Sequence, residues 1–395
     1  MTDETASTTS RRILLAGAAF AGSALQATSA AAQTRRPPQA RPVFAYVGSF
    51  TSAQRRARGE GISVFSMNTT TGAWAHVQTL GDLFNPSYLV TSRDGRFLYS
   101  VHGDADYASA FAIDPASGRI RALNRSATGG RNGVRQAIDP SGKWLVVANY
   151  ASGSVAVLPI RPDGLLGDHA QLLSLPGEPG PNRREQPNSE PHDVVFDPSG
   201  RYVVVPDKGL DRIFVFSFDP ANGALTPAGN NGFLASRSGA GPRHMAFHPT
   251  RPVAWVLNEL DSTVITCSWA PGNGTLTAQQ VITTLPTDFT GNSTSAEIAV
   301  SADGRFVHVS NRGHDSVTSY TARPDNGLLS APAWTRTQGP GPRFIGLAPG
   351  GRFLYAANEH GDTIVPFRVV GTGGRLTQAG PAILCKSPVC IAFTG

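Results

Sequence analysis

The chain has 395 residues, including 43 glycines and 30 prolines, and only 16% of its residues are charged. This composition is typical of short strands joined by tight turns and disfavours an architecture of long surface helices. The formal net charge is +6, but the arginines are scattered among the turns, which disfavours nucleic acid as a partner and favours a solvated surface or a site for a small anion.

The N-terminal segment predicts export. Residues 10–15 read Ser-Arg-Arg-Ile-Leu-Leu, a twin-arginine pattern, and an Ala- and Gly-rich apolar run follows. This run is too short and too weakly apolar for a stable membrane span. We therefore expect a twin-arginine signal peptide at residues 1–32, a linker at 33–42, and a periplasmic or secreted protein without a stable membrane anchor. The Tat export machinery would be a partner of the precursor, and the alternative is a disordered cytosolic tail.

One short pattern then recurs along the chain. A hydrophobic strand that usually follows a proline leads into a tight turn, most often with Gly-Arg, and a second strand ends near Asn or Asp. Residues 191–207, 242–258 and 342–358 carry three copies. A repeat of about fifty residues indicates β-propeller blades, and such a ring is one domain despite its length.

Six turns of this pattern can be placed in chain order. Five contain a glycine, namely Gly95, Gly142, Gly200, Gly304 and Gly351, and a Pro-Thr-Arg turn at 249–251 fills the gap between the third and fourth. The strands predicted after these turns cover 97–101, 144–148, 202–205, 254–257, 306–310 and 353–357.

The seventh blade is predicted to be composite. Residues 388–393 repeat the inner-strand pattern but no turn follows them, whereas residues 44–48 form a second strand without an inner partner. Pairing these two segments closes the ring and removes exposed sheet edges. We predict an all-β fold, a seven-bladed β-propeller covering residues 43–395.

The repeat also predicts which side chains share one face of the disc, because neighbouring strands in a blade are antiparallel. The leading residues of the inner strands are Ser87, Val134, His192, Arg243, Ala296, Arg343 and Val389. The second strands end at His102, Asn149, Asp207, Asn258, Asn311 and Asn358, and the residues after them are Gly103, Tyr150, Lys208, Glu259, Arg312 and Glu359. Polar side chains are thus expected to converge on one end of the central channel.

Four of these residues form the chemically richest set and are predicted to be catalytic, namely His192, Arg243, Glu259 and Arg312. The imidazole and the carboxylate suit acid–base work, and the two guanidinium groups suit a carboxylate, a phosphate or a developing oxyanion. The structural alternative is that Glu259 and the arginines form ion pairs that tie the blades together.

A second group is predicted to contact substrate, namely Tyr150, Asp207, Arg343 and Glu359. The repeated Asn and Asp residues have a structural alternative, since their side chains can satisfy loop backbone groups. His244 is expected to face away from the channel because side chains alternate along a strand.

The sequence predicts no cofactor and no metal. No spacing of His, Asp and Glu specifies a metal, and no glycine-rich phosphate loop occurs. The three cysteines exclude a disulfide framework. Cys385 and Cys390 can pair in an oxidising compartment, and Cys267 suits a buried apolar position.

At this point the chain resembles a known family, the seven-bladed β-propeller lactonases, which includes 6-phosphogluconolactonase and the carboxymuconate lactonising enzymes. The similarity runs from Tyr46 to Phe393. It is carried by Tyr-Val-Gly-Ser-Phe-Thr at 46–51, Ala-Asn-Tyr at 148–150, Pro-Asp-Lys-Gly-Leu-Asp-Arg at 206–212, Gly-Pro-Arg-His-Met at 241–245, Asn-Glu-Leu at 258–260, Ala-Glu-Ile at 296–298, Ser-Asn-Arg at 310–312 and Gly-Pro-Arg at 341–343.

The resemblance implies active-site roles for the same four residues, His192, Arg243, Glu259 and Arg312. Two positions depart from the family pattern. Many members carry a second histidine where this chain has Glu190, and Val134-Arg135 stands where a small polar or His-containing sequence is common.

The leading functional hypothesis is an exported, metal-independent lactonase that hydrolyses a sugar lactone or related cyclic ester. A small-molecule lactone or carboxylate is therefore the expected ligand. Two alternatives stay open: a cycloisomerase acting on a muconate-type diacid, and a non-catalytic periplasmic propeller that binds a ligand or protein.

Overall fold

The computed structural model describes residues 42–229, 231–371 and 373–394. The predicted signal peptide and all of the predicted linker except Pro42 lie outside these residues. Within the described ranges the chain forms β-strands and two short 3-10 helices, Ala53–Arg55 and Tyr150–Ser152. No helix in these ranges has the length and apolar character needed to cross a membrane.

The strands form seven antiparallel sheets, five with four strands and two with five. This arrangement confirms the predicted all-β, seven-bladed propeller. We number the blades from the first one that is continuous in sequence, so blade 1 begins at Pro86 and blade 7 joins the two ends of the chain. In blade 7 the C-terminal strand pairs with the first strand, with Ile391 opposite Val47.

The strand bounds follow one order in every blade. The inner strands of blades 1 to 7 are Pro86–Thr91, Gly133–Ile138, Val195–Phe196, Pro242–Phe247, Thr294–Val300, Pro342–Leu347 and Pro388–Phe393. The second strands are Phe97–His102, Trp144–Asn149, Tyr202–Asp207, Val253–Asn258, Phe306–Arg312, Phe353–Asn358 and Val43–Ser49.

The third strands are Tyr107–Ile113, Ser154–Pro159, Arg212–Asp219, Thr263–Ala270, Ser316–Ala322, Thr363–Val370 and Ile62–Met67. The outer strands are Ile120–Ala127, Gln171–Ser174, Ala224–Pro227 with Phe233–Ala235, Thr275–Thr283, Leu329–Arg336, Arg375–Gln378 with Ile383–Leu384, and Trp74–Leu80. The second and third strands are almost wholly buried, because the two neighbouring blades cover both faces of each blade.

A β-bulge recurs near the start of the inner strands and matters for the site. The register shifts between Pro86 and Tyr88, between Gly133 and Arg135, between Pro242 and His244, and in two further inner strands. At a bulge two residues of one strand lie opposite a single residue of its partner, which re-aims a side chain. Strict alternation therefore fails where the inner strands reach the channel.

Candidate functional site

One end of the central channel forms a cavity of about 170 Å³ where the inner strands begin. Its lining residues come from blades 2 to 7 and from the two segments that connect blade 1 to blade 2 and blade 2 to blade 3, and they are Arg55, Asn132, Val134, Tyr150, Glu185, His192, Lys208, Glu259, Arg312 and Arg343. Five of the eight site residues predicted from the repeat are in this set.

Glu259 links two arginines of the predicted catalytic set. Its carboxylate lies 2.8 Å from Nε of Arg243 and 2.9 Å from a terminal nitrogen of Arg312. Burial alone would raise the pKa of Glu259, but the guanidinium groups of Arg312 and Arg243 outweigh burial and hold this pKa well below its usual range. Glu259 is therefore ionised, and it holds both cations at the cavity. Their ion pairs also connect blades 4 and 5, as the structural alternative predicted.

His192 is buried at the cavity wall and has a free ring nitrogen. It is 6% exposed, and its Nδ1 has no hydrogen-bond partner among the described residues. The ring packs edge-on against Tyr150 and His244. Burial, and then the charge of Arg243, lower the pKa of His192 well below its usual value. The imidazole is thus neutral at pH 7 and can accept a proton, and its unpartnered Nδ1 is buried.

Lys208 binds the segment that connects blades 2 and 3 at one side of the cavity. Its Nζ donates to Oη of Tyr150 at 2.9 Å, to the carboxylate of Glu190 at 2.9 Å and to the backbone carbonyl of Glu185 at 2.5 Å. Glu190 is the position where the family resemblance leads one to expect a histidine. Here that position is part of a buried ion pair instead.

The remaining predicted substrate contacts differ in their placement. Arg343 lines the cavity, and Glu359 lies 3.3 Å from it as its ion-pair partner. Asp207 is fully buried and accepts hydrogen bonds from the hydroxyl of Ser189 and from three backbone N–H groups. These bonds hold the loop, which is the structural alternative that the sequence analysis named, and contact of Asp207 with substrate stays a prediction.

His244 also corrects the sequence analysis, because it faces the channel. Together with Arg243 it lines a smaller cavity of about 30 Å³, which adjoins the main one and shares His192 and Arg343 with it. The bulge between Pro242 and His244 aims both consecutive side chains inward. Nδ1 of His244 lies 2.9 Å from the carboxylate of Glu297.

A charged network that strict alternation did not predict lies at the floor of the site. Arg135 is 2.8 Å from Asp193 and 3.0 Å from Glu297, and its guanidinium stacks 4.1 Å from the ring centre of Tyr88. Burial raises the pKa of Asp193 to about 6 and raises that of Glu297, although Arg135 opposes both shifts. A charged residue in or just before each of three inner strands was the signal available in the sequence.

Three further observations in the described ranges concern metal ligands, thiols and a turn histidine. No group of three His, Cys, Asp or Glu side chains in them is arranged to hold a metal ion. Cys267, Cys385 and Cys390 are buried free thiols, so the structure does not contain the disulfide that the sequence left open. His248 accepts hydrogen bonds from two backbone N–H groups of its turn, which is the structural role that Asp has in other blades.

Comparisons with known proteins agree on one family. A family model described as lactonase, 7-bladed beta-propeller, matches residues 44–393. A 6-phosphogluconolactonase from Bacillus subtilis is 34% identical over 351 residues, which cover 88% of this chain and 97% of that protein. A 6-phosphogluconolactonase from Formosa agariphila is 30% identical and covers 84% of this chain and 94% of its own length.

A solved structure gives the same result. The periplasmic gluconolactonase of Pseudomonas aeruginosa superposes with a TM-score of 0.82 at 30% identity, over 90% of this chain and 99% of that one. The similarity thus covers the whole ring of blades in both proteins.

Proposed function

Because the chain belongs to the seven-bladed β-propeller lactonase family, we propose that it hydrolyses a sugar lactone or a similar cyclic ester. The observation that carries this proposal is the neutral His192, which lines one cavity with Arg312 and a second, adjoining cavity with Arg243, while Glu259 holds both guanidinium groups. Such a set supplies a proton acceptor and fixed positive charge next to a bound carbonyl group.

His192 and the arginines divide the work in the proposed reaction. His192 accepts a proton from water as the water oxygen bonds to the lactone carbonyl carbon. Arg243 and Arg312 stabilise the negative charge that develops on the carbonyl oxygen. The ring C–O bond then breaks, and protonated His192 returns its proton to the departing alkoxide, which leaves an open-chain hydroxy acid.

Glu259 has a positioning role in this scheme. Both oxygens of Glu259 are engaged by the two guanidinium groups, whereas His192 forms no ion pair in the described part of the chain, so proton transfer is assigned to His192. Glu259 keeps Arg243 and Arg312 at one place, and it limits their rearrangement when substrate binds.

The proposal is tested with a panel of lactones and the purified mature protein. We expect His192→Ala and Glu259→Gln each to lower kcat/KM by about 100-fold or more, the usual range for loss of an acid–base or electrostatic group. His248→Asp is the matched control, because it changes a histidine in an outer turn to the residue other blades use there. Full activity of the His192→Ala variant would contradict the proposed mechanism. Ring closure of an unsaturated diacid, seen as loss of its ultraviolet absorption, would instead identify a cycloisomerase.

Export is a separate part of the proposal. The twin-arginine pattern at residues 11–12 supports it, and the structural relative from P. aeruginosa is periplasmic. Replacing both arginines with lysine is expected to retain the precursor in the cytoplasm, and cell fractionation measures this. Unchanged export of the variant would contradict a Tat route.

A further inference from the structure

The cations at the cavity are all matched by carboxylates. The pairs are Arg55 with Asp104 at 2.5 Å, Lys208 with Glu190 at 2.9 Å, Arg243 and Arg312 with Glu259 at 2.8 and 2.9 Å, and Arg343 with Glu359 at 3.3 Å. Glu185 is a fifth carboxylate, 3.6 Å from Lys208. Five cations and five carboxylates therefore cancel in charge around the space where a ligand binds.

One of these cations, Lys208, also has all of its donor groups occupied. An ammonium group has three N–H donors, and those of Lys208 bond to Tyr150, Glu190 and the Glu185 carbonyl. Arg55 donates with two nitrogens to the two carboxylate oxygens of Asp104. A phosphate group binds best where cationic donors are free, and Lys208 offers none.

A phosphate dianion would have to displace a carboxylate from one of these pairs. Glu190 is almost fully buried, and Glu259 and Glu359 are each 12% exposed. Removing the cation from a buried carboxylate is strongly unfavourable, because the carboxylate keeps its charge without a partner. The pairs at the cavity thus oppose a ligand with its own strong negative charge.

The same lining suits hydroxyl groups. A sugar hydroxyl both donates and accepts hydrogen bonds, and the cavity presents acceptors and donors close together on Tyr150, Asn132 and Glu185. A few placed polar groups of this kind fix the orientation of a small uncharged ligand.

We propose that the substrate of this site is an uncharged polyhydroxylated lactone, and that the cavity discriminates against lactones that carry a phosphate ester. The inference rests on the proposed lactonase function but concerns ligand charge alone. It separates two activities that occur among the relatives, one named for a phosphorylated lactone and one for an unphosphorylated lactone.

Calorimetry with unreactive ligands tests this inference without turnover. The probes are the lactam analogue of a hexonic δ-lactone and the 6-phosphate of that lactam. We expect the uncharged lactam to bind the wild-type protein at least about 100-fold more tightly, the scale set by breaking a buried ion pair. Equal or tighter binding of the phosphorylated lactam would overturn the inference, and so would failure of the uncharged lactam to bind.

A charge variant provides the second arm. Glu359→Gln leaves Arg343 without its carboxylate and should raise the affinity for the phosphorylated lactam about tenfold. Glu60→Gln is the matched control, since it removes the carboxylate from the exposed pair with Lys386 away from the channel. No gain in Glu359→Gln, or the same gain in both variants, would contradict the charge argument. If the uncharged lactam binds but no lactone is hydrolysed, the proposed hydrolase function fails, while the inferred preference of the cavity for uncharged over phosphorylated ligands stands.

Discussion

Two aspartates in this chain have pKa shifts of opposite sign. Asp193 is fully buried at the floor of the site, and burial raises its pKa to about 6 despite the nearby Arg135. Asp94 lies in an outer turn, where burial opposes but hydrogen bonds from Ser92 and Arg96 dominate and lower its pKa to about 2. A pKa difference between folded and unfolded chains makes stability depend on pH.

The Asp193→Asn variant should reveal the cost of this buried carboxylate. In the folded protein Asp193 keeps its proton at a higher pH than in the unfolded chain, so its contribution to stability is complete below about pH 4 and decreases as the pH rises to about 6. Across that interval the free energy of unfolding of the wild-type protein should decrease by about 3 kcal/mol relative to that of the variant. Urea unfolding of both proteins at pH 4, 5, 6 and 7 measures the difference.

Asp94→Asn is the matched control with the reverse sign. The carboxylate of Asp94 contributes stability above the pKa it has in the unfolded chain, and it loses this contribution as the pH falls towards 2. The free energy of unfolding of the control variant should therefore become lower than that of the wild-type protein as the pH rises from 2 to 4. A difference for Asp193→Asn that is constant from pH 4 to 7 would show that its carboxyl group titrates normally.

At the scale of single strands, the β-bulge explains which side chains at the channel were predicted from the sequence and which were not. The repeat brought His192, Arg243, Glu259 and Arg312 together correctly, because those positions depend only on where each strand begins or ends. Strict alternation then placed His244 outside the channel, whereas the bulge aims it inward. A bulge depends on the neighbouring strand, so the spacing of apolar residues within one strand does not reveal it.

A second repeated contact joins adjacent blades and was also missed. The turn between the third and outer strands of each blade places a glycine against a large side chain of the preceding blade. These pairs are Gly72 with Phe353, Gly118 with Phe44, Gly164 with Phe97, Gly223 with Trp144, Gly274 with Tyr202, Gly327 with Val253 and Gly374 with Phe306. Several of the turns also accept a hydrogen bond from a buried Tyr or Trp, such as Tyr99 to the carbonyl of Gly164 at 3.1 Å.

Gly164→Ala tests the contact between blades 1 and 2. Gly164 has a φ of +85°, and a Cβ there would lie 2.3 Å from the ring of Phe97. The free energy of unfolding of the variant should decrease by about 1–2 kcal/mol because of the left-handed backbone, and by about 1–3 kcal/mol more because of overpacking. Gly142→Ala separates these terms, because Gly142 has a φ of +73° and nothing within 4 Å of its Cβ position. Equal thermal destabilisation of the two variants would mean that the aromatic contact adds nothing.

For the whole molecule, the number of blades was predictable because each copy of the repeat keeps the same turn and strand spacing. The position of the segment between the outer strand of blade 2 and the inner strand of blade 3 was not predictable, since this segment has no periodic apolar pattern. It nevertheless places Glu185 at the cavity and supplies the buried Gln186, which donates to the carbonyl of Lys208. Its position depends on that hydrogen bond and on the Lys208 ion pair with Glu190.

The ring is closed in blade 7 by strand pairing between the two ends of the described chain. Pro388–Phe393 supplies the inner strand, and the N–H of Thr394 donates to the carbonyl of Phe44 at 3.0 Å. Cys390 and Ile391 are buried in this strand. Removing residues 388–395 would leave Val43–Ser49 as an exposed apolar sheet edge next to the channel. We therefore expect the truncated protein to aggregate and to lose ligand binding, although no residue of the proposed site is deleted.

Moving the strand to the other end of the chain separates closure from connectivity. In the rearranged protein, residues 388–394 precede residue 42 through an Asp-Pro-Ser-Gly turn copied from blade 3, and the chain ends at Ser387. Such a turn joins the inner and second strands in other blades, and the two strands already lie antiparallel with Phe393 opposite Ala45. If pairing alone closes the ring, this protein should fold with one cooperative thermal transition and keep the ligand affinity of the mature protein, whereas the truncated protein does neither. Failure of the rearranged protein to fold would instead mean that the covalent connection at residues 387–388 is required, and circular dichroism with calorimetry on both proteins distinguishes these results.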